Sequence, residues 1–385
     1  MTDLPTTYAQ LVNYDELDYF KRLAQRAAMQ TDGYIEDTEW RVVPESRGES
    51  VFLLEGTDRY RGDVNEGLGT KNNATKLATL TAIEQHPDWS DNAHYHYTKL
   101  LWGYAGQDTV AMIVNDMATL GVRPLTIAMH LAAGHSSWFD HKQERVEARM
   151  AGLLEGWVGS CRLSLATYAG GETPALPGLV VDDEVVISGS ATGEIYPKNR
   201  RIMGDVEPGD EIIILEGSGP HANGISLLRS IGEEVGYQAE LSDGNSFANA
   251  LLQPTPIYVH AVQACLDAGV EISYTINVTG HGWRKFMRLN LPLEYRFHAV
   301  PTPQVIFSFA QEVRGIAIEE MLGNYCMNAG FGLYVRPGSL ELAMTTLAKV
   351  GYKPLHAGTI HPAEAKVVNI VPYKVVFEAD TLQVR

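Results

Sequence analysis

The chain has 385 residues, too many for one ordinary hydrophobic core, so two domains are expected. Its 45% hydrophobic and 20% charged content is that of a soluble globular protein. A formal net charge of -17 argues against nucleic acid or an anionic membrane surface as partner, and means that an anionic ligand needs a bridging cation, local basic groups or backbone donors. Cys161, Cys265 and Cys326 form no CxxC pair and read as reduced, buried thiols of a cytoplasmic protein. The polar N-terminus lacks the layout of a signal peptide, and no apolar run is long enough to cross a bilayer.

In chain order, residues 14–29 predict an amphipathic helix with Leu17, Phe20, Leu23 and Ala27 on one face. Residues 50–55 predict a short strand, 56–76 a polar, glycine-containing segment, and 74–85 a helix. Residues 88–97 read as a loop, in which His94 and His96 are more simply solvated than metal-bound. The stretch 106–134 organises the rest. Val110, Ile113, Val114, Met117 and Leu120 recur at helical spacing, with Asp108 at the mouth of that helix as a cap. Gly121 stops the helix, Pro124 restarts the chain, and Leu125, Ile127, Met129 and Leu131 alternate as a strand. Asp108 alone reads as a cap. Asp108, Asn115 and Asp116 together point to a site, because buried polar groups cost free energy unless something satisfies them.

Residues 142–160 predict a long helix, and 163–168 a strand ending in Gly170-Gly171-Glu172-Thr173, where paired glycines let the backbone approach a ligand. Residues 184–195 predict another strand, and the basic stretch 196–201 marks a boundary between domains 1–196 and 197–385. In the second half the strand 211–215 runs into Gly217-Ser218-Gly219-Pro220-His221-Ala222-Asn223-Gly224, then a helix at 225–233. A glycine-rich turn between a strand and a helix N-terminus is a ready anion site. Similar turns are Thr279-Gly280-His281-Gly282, after a strand at 273–278, and the run 328–332, before a strand at 333–336. A helix at 339–350 and strands near 353–360 and 366–378 complete the chain.

With EGLGTK (66–71), QDTVAMIVNDMATLGVRPL (107–125), AGGETPALPG (169–178), GSGPHANGISLLR (217–229), LLQPTPIYV (251–259), VTGHG (278–282) and NAGFGL (328–333), the chain resembles the AIR synthetase superfamily, and within it the phosphoribosylformylglycinamidine cyclo-ligase family. The resemblance implies an α+β fold of two domains: an N-terminal mixed sheet that pairs with its copy in a homodimer, and a C-terminal curved sheet with helices. It implies ATP-dependent ring closure of formylglycinamidine ribonucleotide, a phosphoribosyl amidine, with ATP and Mg2+ bound between the domains and across the dimer. Carried over by position, Lys71 contacts the ATP phosphates. Asp108 and Asp116 hold magnesium, with Asn115 beside them. Gly67, Gly69, Thr70, Gly170, Gly171, Glu172 and Thr173 line the nucleotide site, and Glu172 reaches metal. Ser218, Gly219, His221, Asn223 and Gly224 lie on the substrate side, where His221 either handles substrate and protons or merely caps the turn.

The chain departs from the family pattern at Glu66, Met129, Ala175 and His281. Asp58 and Glu66 compete for the place of the first metal ligand. Glu66 is favoured, because it shares a tight turn with Lys71. Selenophosphate synthetase and the hydrogenase-maturation relative would show a reactive cysteine absent here, and thiamine-phosphate kinase lacks the PHANG and PTPIYV pattern. Another phosphotransferase of the superfamily or a non-catalytic nucleotide-binding homologue are the alternatives.

Overall fold

The structure is a computed structural model that describes residues 10–11 and 14–382. It is α+β, with two mixed sheets. The first contains β1 (Arg41–Val42), β2 (Phe52–Glu55), β3 (Tyr60–Gly67), β4 (Arg123–Ala133), β5 (Thr167–Glu172) and β6 (Val185–Ile195), in the order β1-β2-β3-β6-β4-β5. Only β4 and β5 run parallel. Along β6, Val185, Ile187, Gly189, Ala191, Gly193 and Ile195 face inward at the strand period of two. Helices α1 (Tyr14–Met29), α2 (Lys71–Gln85), α3 (Asp91–Ala118) and α4 (Glu144–Leu163) complete this half. Ile113 of α3 and Trp157 of α4 both press on the bare backbone at Gly189.

Four expectations are corrected here. Residues 88–97 are mostly helix, not loop: Ser90 Oγ accepts the Ala93 N–H and starts α3. Asp108 therefore lies in mid-helix and caps nothing. The cause of both errors is that the first turns of α3 are polar and largely exposed or half-buried, with no apolar stripe to read before Leu101. The polar segment 56–76 is not all loop: β3, Tyr60–Gly67, is the hairpin partner of β2, in register from Phe52↔Asp63 to Glu55↔Tyr60. Gly62 and Val64 are its only buried positions, so the alternation was invisible. Finally, α4 continues to Leu163, and Gly170 and Gly171 lie within β5 rather than in a turn after it.

Helices α3 and α4 touch backbone to backbone. A Cβ on Gly156 would lie 1.9 Å from the Gly103 carbonyl oxygen. Gly156→Ala is therefore expected to destabilise the protein by about 1–3 kcal/mol, measured by denaturant titration, as overpacking does when rigid backbone cannot yield. A neutral result would mean that the helices can separate.

The second sheet contains β7 (Glu211–Glu216), β8 (Ile272–Asn277), β9 (Leu293–Phe297), β10 (Ala329–Val335), β11 (Pro354–Pro362), β12 (Val367–Ile370) and β13 (Val375–Phe377), ordered β13-β12-β9-β11-β7-β10-β8. Buried rings fill it, with Trp283, Phe286 and Phe297 in mutual contact and Tyr334 between Tyr274 and Tyr295. Strand β9 and the helices Val305–Arg314 and Ile318–Asn324 had no sequence expectation. The halves meet along α3: Thr275 Oγ1 donates to the Thr119 carbonyl (2.8 Å) and Gln107 Nε2 to the Thr255 carbonyl (3.0 Å). Among the described residues, no helix is long and apolar enough to cross a membrane.

Candidate active site

The polar residues of α3 have two separate jobs. Asp108 and Asn115, seven residues apart and so on one helical face, hold the segment 253–258 of the second half. The Asn115 Oδ1 accepts the Tyr258 N–H (2.8 Å), and its Nδ2 donates to the Pro256 carbonyl (2.9 Å). Asp108 Oδ1 accepts the Thr255 N–H (2.8 Å) and hydroxyl (2.5 Å). Its Oδ2 lies 2.7 Å from Lys71 Nζ, and the two side chains are 0% and 1% exposed. Lys71 Nζ also donates to the Gln253 carbonyl (3.0 Å). Burial pushes the Asp108 carboxyl up, opposed by Lys71 and the Thr255 donors. Asp108 and Lys71 are thus each other's partner in this structure, in a clasp that joins α2, α3 and the second half.

Asp116 points elsewhere. It lies on the wall of a cavity of about 530 Å³ between the two halves, and its Oδ1 accepts the Asn277 Nδ2 (2.7 Å). Glu66, near the end of β3, lines the same cavity. Enclosure raises the Glu66 carboxyl above the ordinary range and the charge of Asp116 raises it further, while Lys285 opposes. Burial likewise raises Asp116, again opposed by Lys285. Lys21 of α1, Glu49, Arg288 and His281 complete the charged and titratable lining. Burial, then repulsion from Arg288, lowers the Lys285 ammonium to about 8. Lys285 Nζ donates to the Asn277 carbonyl (3.3 Å) and to Thr279 Oγ1.

Sequence reading had no access to Lys21, Glu49, Asn277, Lys285 or Arg288. The one signal available was the spacing of Lys285 and Arg288, three residues apart just after the TGHG turn. His281 adopts φ +70° at that turn, and burial lowers its imidazole to about 4.

Asp58 is not in the cavity. It occupies the β2–β3 turn, 56% exposed, and pairs with Arg59 at 2.9 Å. Glu66 is at the other end of β3, about 20 Å further along extended chain. Gly67, Gly69 and Thr70 lead from Glu66 into α2, and Gly69 has open space around it at φ +69°. Gly67, Ser188, His130 and Glu172 form one row across four strands. Three strand steps put Glu172 about 14 Å from Gly67. Gly170, Gly171, Glu172 and Thr173 are thus remote from Glu66 within one protomer.

In the turn of the second half, Ser218 Oγ donates to the Pro254 carbonyl (2.6 Å) and the Ser218 N–H to His221 Nε2 (3.4 Å). The Gly219 and Gly224 carbonyls accept from Cys326 Sγ and Tyr325 Oη. Of this turn Asn223 lines the cavity, and its Nδ2 is buried without a hydrogen-bond partner. His221 is buried beside the Lys71 clasp instead. Burial, then the Lys71 charge, lowers its imidazole to about 3.

A pH prediction follows for His221. Between pH 6.5 and about 3 only the unfolded chain protonates it, so its contribution is complete above 6.5 and is lost as pH falls. His221→Gln should flatten the acid limb of the stability curve by about 1.4 kcal/mol per pH unit, read by denaturant titration from pH 6.5 down to 4.5. An unchanged slope would mean that His221 is protonated in the fold.

Known proteins resemble this chain in sequence and in fold. Residues 89–195 match the family model for AIR synthase related protein, N-terminal domain. The phosphoribosylformylglycinamidine cyclo-ligase of Exiguobacterium sibiricum is 32% identical over 76% of this chain and 79% of its own. That of Lachnospira eligens is 31% identical over 83% and 84%. Among solved structures, AaThiL complexed with AMPPCP and TMP aligns with TM-score 0.56 at 13% identity, covering 90% of this chain and 93% of that one. The HypE–HypF complex aligns with TM-score 0.54 at 14% identity, covering 88% and 93%. The structural likenesses establish a shared fold and nothing finer. The sequence likeness extends over most of both chains, and with it the chain belongs to the phosphoribosylformylglycinamidine cyclo-ligase family.

Proposed function

We propose that the protein is an ATP-dependent cyclo-ligase of purine biosynthesis. It converts formylglycinamidine ribonucleotide and ATP to 5-aminoimidazole ribonucleotide, ADP and phosphate. The observation that carries this reading is the cavity between the halves, which Glu66, Asp116, Lys285 and Arg288 line together. An amide oxygen is a poor leaving group, and phosphorylation makes it a good one. The amidine nitrogen then forms the new C–N bond as the C–O bond breaks and phosphate departs. Such a reaction is driven by positioning and charge neutralisation.

Asp116, fixed by Asn277, and Glu66 fit magnesium as hard oxygen donors. Among the described residues no three His, Cys, Asp or Glu side chains gather. That suits an ion that keeps several waters and takes the rest of its shell from phosphate oxygens. When bound, Mg2+ would neutralise charge on the phosphates. The unpartnered Asn223 amide is a donor for a substrate oxygen. Lys71, Asp108 and His221 act from behind the cavity as positioning residues, holding residues 253–255 and the 217–224 turn in place. Residues 1–196 form the nucleotide and metal unit and 197–385 the substrate unit. Gly67, Gly69 and Thr70 stay with the nucleotide. Gly170, Gly171, Glu172 and Thr173 join it across a homodimer, from the other protomer. The substrate is a small molecule handled in the cytoplasm, in keeping with three buried free thiols.

Incubation with formylglycinamidine ribonucleotide, ATP and magnesium tests the reading, scoring ADP and the imidazole product together. Both are expected. ADP alone would indicate a kinase-like relative, and neither product a binding protein. The homodimer is expected through the face of the first sheet that carries Leu125 and Val186, which are 40% and 51% exposed. Light scattering that gave a monomer at micromolar concentration would count against it.

A further inference from the structure

We infer that Lys285, together with Arg288 and the Asn223 amide, is the seat of a terminal phosphate in the interdomain cavity, an inference that rests on the phosphoryl-transfer reading above. In the turn that sequence reading offered for a phosphate, the Ser218 N–H and hydroxyl are both committed inside the protein. The donors that do face the cavity belong to other residues. Asn223 Nδ2 is buried with no acceptor, which costs free energy unless a ligand supplies one. Lys285 Nζ has three N–H bonds and uses two, on Asn277 and Thr279, so one remains. It forms no ion pair with Glu66 or Asp116, although both lie close enough to favour its charge. Its ammonium thus keeps one N–H for a ligand in the cavity.

Arg288 is oriented from three sides. Its guanidinium donates to Ser50 Oγ (2.8 Å) and the Gly48 carbonyl (2.6 Å) and lies 3.5 Å from Glu49. Two of its five N–H donors remain. The charge balance fits the same ligand. Lys21, Lys285 and Arg288 line the cavity against Glu49, Glu66 and Asp116, three charges of each sign. A doubly charged phosphate with a divalent cation adds no net charge to that balance. An apolar or cationic ligand would leave Lys285 buried with nothing to neutralise it.

The terminal phosphate has two possible sources, the ribonucleotide substrate and the nucleotide, and the experiment separates them. Wild type, Lys285→Met and Lys285→Arg are first titrated with pyrophosphate, magnesium present and no nucleotide, following the melting temperature. Wild type should be protected saturably. Lys285→Met should need about tenfold more pyrophosphate or worse, the size of one lost charge-assisted hydrogen bond. Lys285→Arg should restore most of the affinity. Steady-state kinetics follows. A raised KM for formylglycinamidine ribonucleotide alone assigns the seat to the substrate's phosphate, and a raised KM for ATP alone assigns it to the nucleotide. If wild type is not protected, or Lys285→Met binds pyrophosphate as well as wild type and neither KM moves, the seat does not exist and Lys285 only offsets the carboxylates. If wild type makes neither ADP nor imidazole, the function reading fails, while the pyrophosphate titration still decides the seat.

Discussion

Glu66→Gln is expected to raise the magnesium requirement and to lower kcat/KM by about 100-fold or more, whereas Asp58→Asn leaves both within about twofold. In one dimension both carboxylates compete for the place of the first metal ligand, with Glu66 favoured by its nearness to Lys71. In three, Glu66 shares a cavity with Asp116, while Asp58 is on an exposed turn with its charge already matched by Arg59 at 2.9 Å. Removing an exposed, paired charge costs little. Removing one of the two hard donors proposed for the ion takes away half of the protein's share of its shell. Asp116→Asn should be at least as damaging to turnover while the melting temperature holds, because asparagine keeps an oxygen for the Asn277 amide. A magnesium titration on all three variants checks this. A raised requirement in Asp58→Asn alone would show that the chosen carboxylate is wrong.

Lys71→Met is expected to destabilise the protein by about 3–5 kcal/mol, the range seen when one member of a buried ion pair is removed and the other stays charged. Asp108 would keep its two Thr255 donors but lose the charge 2.7 Å away, in a place without water. Asp108→Leu should be comparably harmful, because it strands the ammonium. The double variant should recover much of the loss, since two apolar side chains leave no charge unpaired. Denaturant titration of the two singles and the double closes the cycle. Lys71→Met with undiminished stability and a raised KM for ATP would instead put the lysine on the nucleotide.

Much of the first half was legible in sequence because it obeys local rules. The apolar spacing from Val110 to Met117 is visible at short range and lies in α3, which ends at Ala118; after Pro124, Ile127, Met129 and Leu131 alternate inward in β4, while Leu125 is exposed. What failed locally failed for physical reasons. Residues 91–100 are polar and largely exposed or half-buried, so no apolar stripe marks them as helix. Strand β3 buries only Gly62 and Val64, which hid its alternation.

The sequence by itself determined that Asp108, Asn115 and Asp116 could not all be idle. The cost of burying polar groups is a property of the groups, and their place in an apolar helix is written in the chain. Tertiary structure alone decided which ligand each received. Asp108 and Asn115 face residues 255–258 and are satisfied by protein. Asp116, one residue further, turns about 100° away and opens onto the cavity with Glu66. Lys71 was legible as a functional cation but not as the partner of Asp108, and Lys285 was not legible at all. An electrostatic partner is fixed by distance in space, and residues 66, 116 and 285 are brought together only when the two sheets are docked through α3.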